Sequence, residues 1–200
     1  MRLDGKVALV TGAARRLGRA IALALAGEGC RLAIHFGSSR REAEEMAAEL
    51  QGQGVEARAL QADLADPLRI EGLFAEISRH FRRLDILVNS AASFESRAFR
   101  RIDAEDWDSV MAVNLRAPFL CSRHAAALME SDEHRDEEPG LIVNLGDLSG
   151  LQAWRGFAHH GVSKAGLLHL TRIAARELAP GVRVNAVVPG PILPPPGMEE

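Results

Sequence analysis

The segment that decides the fold is Val7-Ala8-Leu9-Val10-Thr11-Gly12-Ala13-Ala14-Arg15-Arg16-Leu17-Gly18-Arg19-Ala20. Its first four residues are apolar, and the β-branched Val7 and Val10 favour a short buried strand of a parallel sheet. A turn at Gly12 follows, and the Ala- and Leu-rich residues 17–28 have the pattern of a helix. Because a helix N-terminus offers free backbone N–H groups and a positive dipole end, this strand, turn and helix predict an anion-binding site.

The glycines of this turn match a dinucleotide-binding fingerprint only in part. That fingerprint places three glycines between the strand and the helix. Gly12 and Gly18 occupy two of the places, and Arg16 stands where the middle glycine is expected. An ordinary strand-to-helix connection therefore remains an alternative interpretation of this segment taken alone.

The composition is that of a soluble globular domain. The 200 residues are 47% apolar and 26% charged, and the formal net charge of -3 gives no support for a nucleic-acid or membrane-surface partner. Every long apolar run is interrupted by a charge, and the residues before Val7 lack the apolar core of a signal peptide. The cysteines, Cys30 and Cys121, suggest reduced thiols in a cytoplasmic protein. We predict no disulfide framework and no metal site.

Strand and helix patterns alternate along the rest of the chain. Ser38 or Ser39 is a candidate cap of the second helix, Asp66 is expected to cap the third, and Pro118 to divide the fourth. Residues 130–140 are acidic and polar, which predicts a surface loop. Further strands are predicted at residues 31–36, 55–61, 84–89, 141–146 and 182–188, and further helices at residues 39–51, 67–81, 104–129 and 157–179.

This alternation predicts a single α/β domain over residues 1–200. A parallel sheet covered by helices on both faces, in three α/β/α layers, is the arrangement that such a pattern favours. With an anion-binding turn after the first strand, we expect the doubly wound Rossmann fold. Ligands then bind at the carboxyl ends of the strands, near the switch in strand order.

Several motifs, in the expected order, resemble those of the short-chain dehydrogenase/reductase family over nearly the whole chain. The resemblance implies a nicotinamide cofactor and hydride transfer. The motifs are the cofactor turn Thr11-Gly12-x3-Arg16-x-Gly18, the adenine-holding pair Asp63-Leu64, the segment Asn89-Ser90-Ala91-Ala92, the helix asparagine Asn114, and the nicotinamide-lining Arg183-Val184-Asn185 and Pro189-Gly190. The resemblance assigns cofactor contacts to Gly12, Arg15, Arg16, Leu17, Gly18, His35, Phe36, Ser38, Ser39, Asp63, Leu64, Asn89, Ser90, Ala91, Lys164, Pro189, Gly190 and Ile192.

The end of the second strand indicates which dinucleotide binds. An acidic residue there hydrogen-bonds the ribose hydroxyls of NAD and repels a 2′-phosphate. Residues 34–41 contain no Asp or Glu, while Ser38 and Ser39 can donate to a phosphate and Arg16 or Arg40 can pair with it. We therefore predict NADP(H). The serines also fit as caps of the next helix, and the two roles do not conflict.

Within the family, the chain has a narrower resemblance to the pteridine reductases. That branch has an arginine at the place of Arg16, a phenylalanine at the place of Phe94 that stacks on the pterin, and an aspartate at the place of Asp147, where most members have serine. The resemblance implies that Arg16, Phe94 and Asp147 contact the substrate. Arg16 as a phosphate ligand, Phe94 as a core residue and Asp147 as a turn cap are the alternatives. A ketone, an acyl thioester and a reduced pterin all remain open as substrates.

The family's catalytic tyrosine has no counterpart in this chain. In the family, tyrosine and lysine stand four residues apart on one helix face, where the cation lowers the pKa of the phenol. Four residues before Lys164 stands His160, and the sequence contains no tyrosine. The resemblance thus places Asp147, His160, Lys164 and Asn114 at the catalytic positions. Lys164 is expected to hydrogen-bond the nicotinamide ribose, and Asn114 to hold a water near Lys164.

Three interpretations of this centre are open. In the first, His160 is the general acid and acts through a bridging water. In the second, Asp147 delivers the proton through water and His160 supports it. In the third, the protein binds NADP(H) but turns over weakly or not at all, as a sensor or scaffold. A simpler alternative is that His160 is a polar helix residue that faces solvent. We favour an NADPH-dependent reductase of a pterin-like or carbonyl substrate.

The resemblance also bears on the end of the chain and on assembly. Family members continue beyond Pro189-Gly190 with a substrate-covering helix, another helix and a seventh strand, whereas the sequence ends at Glu200. A C-terminally truncated chain, or a sheet that lacks the last strand and has an open edge, is therefore expected. Family members commonly associate through the helices that hold Asn114 and Lys164. We expect a homodimer or homotetramer with a small-molecule substrate.

Overall fold

A parallel sheet with helices on both faces forms the molecule, as the alternating pattern predicts. The structure is a computed structural model that describes residues 2–131 and 138–190. Within those residues the strands are β1 (Val7–Val10), β2 (Arg31–Phe36), β3 (Ala57–Gln61), β4 (Ile86–Asn89), β5 (Gly140–Leu145) and β6 (Val182–Val187). The helices are α1 (Arg16–Gly27), α2 (Arg40–Gly52), α3 (Pro67–Phe81), α4 (Ala104–Met111), α5 (Ala117–Met129) and α6 (Ala158–Glu177).

The strand order places a ligand site at the carboxyl ends of the central strands. The sheet runs β3-β2-β1-β4-β5-β6, and every neighbouring pair is parallel. The order reverses between β1 and β4, where Val10 lies in register with Val88. Such a switch point leaves a crevice between the loops that leave the two strands. The Rossmann fold predicted from the sequence is therefore confirmed.

Alternate residues of the strands pack into two separate cores, one on each face of the sheet. Val7 and Leu9 of β1 point into the core beneath α3 and α5, and Ala8 and Val10 into the core beneath α1 and α2. All four are fully buried. This explains why β1 is an uninterrupted apolar run, since a central strand of a doubly covered sheet has no polar face.

Helix ends follow the capping signals in some places and not in others. Asp66 caps α3 as predicted, because its Oδ1 accepts a hydrogen bond of 2.9 Å from the N–H of Leu68. Ser39 occupies the N-cap position of α2, so the predicted position of the cap is confirmed. Its side chain makes no capping hydrogen bond, so the predicted capping interaction is absent. Residues 132–137 of the predicted surface loop lie outside the described residues.

The predicted break at Pro118 is a change of helix type. Between α4 and α5 the chain stays helical through a π-helical turn, Ala112–Arg116. Pro118 has no N–H to donate to the carbonyl of Asn114, four residues earlier, so a regular α-helical bond is lost at this turn. The wide turn contains Asn114, whose side chain is buried. No helix among the described residues is long and apolar enough to cross a membrane.

Candidate active site

Two glycines let the turn after β1 approach its neighbours closely. Gly12 has φ 66°, and a Cβ added there would lie 3.0 Å from the Cα of Ala91. A Cβ on Gly18, in the first turn of α1, would collide with the carbonyl oxygen of Gly12. Thr11 fixes the same turn to the loop after β4, because its Oγ1 accepts from the N–H groups of Ser90 and Ala91 at 2.9 and 3.0 Å.

The two arginines of the turn differ in backbone conformation. Arg16 takes the left-handed backbone conformation, with φ 49°, at the place where the fingerprint has a glycine. That conformation costs an L-residue with a Cβ about 1–2 kcal/mol. Neither arginine lines the main cleft of the site; both line a shallow depression between α1 and α2, where Arg15 Nε donates to Glu42 Oε1 at 3.0 Å. Arg16 therefore has the conformation of a glycine, and Arg15, also predicted to contact cofactor, is held by an exposed ion pair.

A cleft of about 460 Å³ opens at the carboxyl ends of β1, β2, β3 and β4. It collects many of the predicted cofactor residues from separate parts of the chain. Its walls consist of Gly12, His35, Gly37, Ser38, Gln61, Ala62, Asp63, Leu64, Ala91, Ala92 and Val113. Gly37, Gln61, Ala62, Ala92 and Val113 are missing from the sequence prediction, although each adjoins a predicted residue or helix.

Arg40 lies beside Ser38 at one end of this cleft. Its Nη1 donates to Glu44 Oε1 at 3.0 Å, a second N–H bonds Gln61, and its guanidinium lies 5.5 Å from the centroid of the Phe36 ring. An exposed ion pair of this kind is weak, so a phosphate can compete for the guanidinium. The cleft therefore has a hydroxyl and a cation at its β2 end, where a 2′-phosphate is expected.

Asp147 and His160 form the polar centre on the other side of β4. Asp147 follows β5, and its Oδ1 accepts from the N–H of Ser149 at 2.8 Å and from the Ser149 hydroxyl. The other oxygen, Oδ2, lies 2.6 Å from His160 Nε2. Burial raises the pKa of Asp147, but the hydrogen bonds from His160 and Ser149 outweigh it and bring this pKa down to about 2. Asp147 is therefore ionised at neutral pH.

Both nitrogens of the His160 ring face hydrogen-bond acceptors. Nδ1 lies 3.0 Å from the carbonyl oxygen of Ser93, and Nε2 faces the carboxylate of Asp147. Asn114 Nδ2 is 3.2 Å from Nδ1, but its hydrogens are directed to Ser93 O at 2.9 Å and Ser163 Oγ at 3.1 Å. A ring between two acceptors needs a hydrogen on each nitrogen, so the arrangement fits an imidazolium. The alternative of a solvent-facing His160 is wrong, because the side chain is 1% exposed.

Asn114 and Lys164 hold the backbone on either side of this pair. Asn114 accepts from the N–H of Ser93 at 2.7 Å and donates to its carbonyl, so the side chain fixes the loop that carries Phe94. Lys164 Nζ donates to the carbonyl of Leu145 at 2.7 Å. Burial lowers the pKa of Lys164, and the charge of Asp147 opposes that effect.

Aromatic rings cover the outer side of His160. Phe94 packs edge-on against the His160 ring, with 4.8 Å between centroids, and stacks on Phe157 at 4.7 Å. Trp154 meets Phe157 edge-on at 6.3 Å. Phe94 is nevertheless 59% exposed, so it is not the core residue of the alternative interpretation. Sequence reasoning missed Phe157 and Trp154, although Phe157 stands three residues before His160, a separation that shares a helix face.

The remaining predicted residues lie around these two centres. Leu17 is in the first turn of α1, and Asn89 ends β4, where its Nδ2 donates to Asn144 Oδ1 at 2.8 Å. Pro189 and Gly190 follow β6. A Cβ added at Gly190 would lie 3.9 Å from Leu148 Cδ1. Ile192 lies outside the described residues. The predicted cofactor and catalytic residues thus form two adjoining regions on one edge of the sheet.

Comparison with known proteins identifies the class to which this fold and site belong. Residues 6–199 match the model of the short chain dehydrogenase family. The chain therefore belongs to the short-chain dehydrogenase/reductase family.

Individual relatives agree with this assignment. The chain is 39% identical over 186 residues to the 3-oxoacyl-(acyl-carrier-protein) reductase FabG of Staphylococcus aureus, covering 92% of this chain and 74% of that protein. A short-chain dehydrogenase from Burkholderia cenocepacia, solved with NADP, superposes with a TM-score of 0.87 at 37% identity, over 95% of this chain and 76% of that one. FolM alternative dihydrofolate reductase 1 from Brucella canis, also complexed with NADP, superposes with a TM-score of 0.89 at 34% identity. The match covers 98% of this chain and 77% of that one.

Proposed function

We propose that the protein is an NADPH-dependent reductase in which Asp147 and His160 act together as the proton source. NADP(H) as cofactor agrees with the NADP found in the Burkholderia and Brucella structures. It also fits this chain's own residues, because Gly12 and Gly18 admit a close approach, Ser38 lines the cleft and Arg40 bonds to Ser38 and Gln61 of its wall. Gly12, Asp63 and Ala91 would line the dinucleotide, and Arg16 and Ser38 would meet its phosphates.

A bound NADPH supplies a hydride, so the protein must supply the proton that completes the reduction. The observation that carries the proposal is the 2.6 Å contact between His160 Nε2 and Asp147 Oδ2. His160 is buried and both its nitrogens are bonded, whereas the Asp147 side chain is 21% exposed. The proton of the pair therefore leaves from the Asp147 side, directly or through a water, and lands on the substrate oxygen or nitrogen. This favours the second of the three sequence-based interpretations.

Ser149 and Ser93 prepare the pair for that role. Ser149 holds Oδ1, which leaves Oδ2 to face the ring, and the carbonyl of Ser93 stabilises the proton on Nδ1. Because Asp147 is ionised, the proton that reaches the substrate starts on Nε2 of the His160 ring: it moves to Oδ2 as the Asp147 carboxyl group gives a proton to the substrate, which leaves a carboxylate and a neutral ring.

For the substrate, we propose a planar heterocycle of the pterin type, with a carbonyl compound as the second candidate. Phe94 and the Asp147 carboxylate both contact His160, and the Phe94 ring is exposed. This supports the heterocycle, since an aromatic ring and a hydrogen-bonding anion suit an amino-substituted ring. The FabG relative acts on a 3-oxoacyl group carried by a protein, which supports the carbonyl candidate.

NADPH oxidation with a panel of dihydropterin, dihydrofolate and ketone substrates tests both parts of the proposal. We expect the highest kcat/KM with a planar heterocycle. Phe94→Ala should raise KM for that substrate while leaving the Kd of NADPH within about twofold, because the ring lies outside the cofactor cleft. Leu68→Ala, a truncation of an exposed apolar side chain on α3 that does not line the cleft, is the control. NADPH binding without turnover on any substrate would instead indicate a binding protein.

We also propose that the protein is a cytoplasmic homodimer or homotetramer associating through α4, α5 and α6. Phe119, Val162 and Ile173 are 48%, 51% and 48% exposed on α5 and α6, which supports an apolar contact surface there. The cysteines are both buried and free, in agreement with reduced thiols. In analytical ultracentrifugation, Phe119→Glu should have a lower particle mass than the parent protein. A parent protein with the mass of a monomer would contradict the proposed association.

A further inference from the structure

His35 lies between the turn after β1 and the end of β3. It belongs to β2, is 2% exposed, and uses both ring nitrogens. Nδ1 is 3.0 Å from the backbone nitrogen of Gly12, and Nε2 is 3.1 Å from the carbonyl oxygen of Ala62. The Gly12 amide can only donate and the Ala62 carbonyl can only accept, so the ring is neutral with its hydrogen on Nε2.

The backbone of the same residue holds the next amide of the turn. The N–H of Ala13 donates to the carbonyl of His35 at 2.9 Å. Two consecutive amides of the cofactor turn are thus bonded to one residue of β2. They are turned toward that strand, which leaves anion binding to the amides at the start of α1.

Gly12 is the point of the turn that most needs such a restraint. It has φ 66° and no side chain, so its backbone has more freedom than that of any other residue type. Thr11 restrains the turn from the β4 side, but its hydroxyl bonds the loop after β4 and not the Gly12 amide. The bond from Gly12 to the His35 ring fixes the peptide on the β2 side.

We infer that His35 is a positioning residue for the dinucleotide, whose neutral ring fixes the Gly12 peptide and so sets the shape of the phosphate-binding turn. The inference rests on the proposed function in that the turn is taken to bind NADPH. His35 acts through Gly12, because its ring nitrogens are both occupied by backbone groups and are unavailable to the cofactor.

Two substitutions separate the two bonds of the ring. In His35→Asn, the side-chain oxygen takes the place of Nδ1 and can accept from Gly12, while the bond to Ala62 is lost. In His35→Gln, the terminal amide takes the place of Nε2 and keeps the bond to Ala62, while the bond from Gly12 is lost. Each variant loses one hydrogen bond, so their melting temperatures should fall by similar amounts.

NADPH titrations followed by nucleotide fluorescence should distinguish the variants. We expect a Kd within about twofold of the parent for His35→Asn and about tenfold weaker for His35→Gln, the effect of one hydrogen bond. In His35→Gln the rise in KM for NADPH should exceed any fall in kcat. Equal losses of affinity that follow the melting temperature, or an unchanged Kd in His35→Gln, would overturn the inference.

Hydrogen exchange without nucleotide keeps this test independent of the proposed function. The amides of residues 10–18 should exchange faster in His35→Gln than in His35→Asn. Equal exchange in the two variants would overturn the role of His35 in the turn. The parent protein could also bind no NADPH although the amides of its turn are protected from exchange. That result would contradict the proposed function and still support the restraint of the turn by His35.

Discussion

The two buried histidines of the site, His35 in the proposed cofactor half and His160 in the proposed substrate half, differ in their hydrogen-bond partners. Each is at most 2% exposed, and each bonds both ring nitrogens. His35 lies between a backbone donor and a backbone acceptor, and burial lowers its pKa to about 4. His160 lies between a carbonyl and an ionised carboxylate, which fits a charged ring.

This difference divides the chemistry of the site between its halves. A neutral ring without a nearby countercharge can hold a backbone turn over a wide pH range. A ring paired with a carboxylate can exchange a proton at a low energetic cost, because the pair stays compensated in the dry interior. Because the two rings are almost equally buried, we propose the different roles of His35 and His160 from their hydrogen-bond partners and not from their burial.

Removing the carboxylate of the substrate half should have the largest effect. Asp147→Asn leaves His160 without its anion and the substrate without a proton donor. We expect kcat to fall by about 10²–10⁴-fold, the range of general acid catalysis, with the Kd of NADPH nearly unchanged. Steady-state NADPH oxidation checks this, with the exposed Asp108→Asn as the control. A rate within threefold of the parent would remove Asp147 from the proton path.

Lowering the pH should reduce the stability of the protein through His35, in the cofactor half. With a pKa of about 4 when folded and 6.5 as its ordinary value, the unfolded chain binds the proton first. The free energy of unfolding should therefore be highest above pH 6.5 and decline by about 3 kcal/mol as the pH falls to 4. Urea unfolding at several pH values measures the decline. His35→Asn should flatten it over this range, and parallel profiles would contradict the assignment.

Replacing the His160 ring by a phenol tests whether the bonds on both of its nitrogens matter for turnover. The single oxygen of His160→Tyr cannot bond both Ser93 and Asp147, so we expect kcat to fall by about tenfold, the effect of one hydrogen bond. His160→Phe, which keeps a ring without polar atoms, is the matched control and should be slower still. A higher kcat in the tyrosine variant would show that His160 limits a reductase whose pocket is otherwise intact.

The smallest effect is expected at Arg16. Arg16→Gly places the residue type that suits φ 49° and removes the cation from the turn. The melting temperature should rise slightly, since about 1 kcal/mol of backbone strain is relieved. Titrations should show the Kd of NADPH weakened about tenfold and that of NADH less, as for one lost charged hydrogen bond.

A control in the same surface cluster completes this test. Arg19→Ala removes a cation that pairs with Glu49 on α2. It should leave the affinities for NADPH and NADH nearly unchanged. Equal losses for the two nucleotides in Arg16→Gly would mean that Arg16 meets only the shared pyrophosphate or the substrate.

Sequence alone determined the sheet, the cofactor edge and most of the residues that line it. Periodicity gave β2 its exact limits and α3 its cap, because strand alternation and N-cap chemistry are local properties. The position of Gly12, Asp63 and Asn89 at strand ends then followed from the parallel order, which brings all carboxyl ends to one edge.

Only the tertiary structure decided what the functional side chains bond to. The carbonyl of Ser93 meets a ring in α6, and Gly12 meets a ring in β2, through contacts between residues far apart in the chain. Loop conformation and the π-helical turn at Asn114 set those contacts, and neither leaves a periodic signal in the sequence. His160 was therefore identifiable by its spacing from Lys164, while its charge and its burial depended on neighbours that folding alone brings within hydrogen-bond distance.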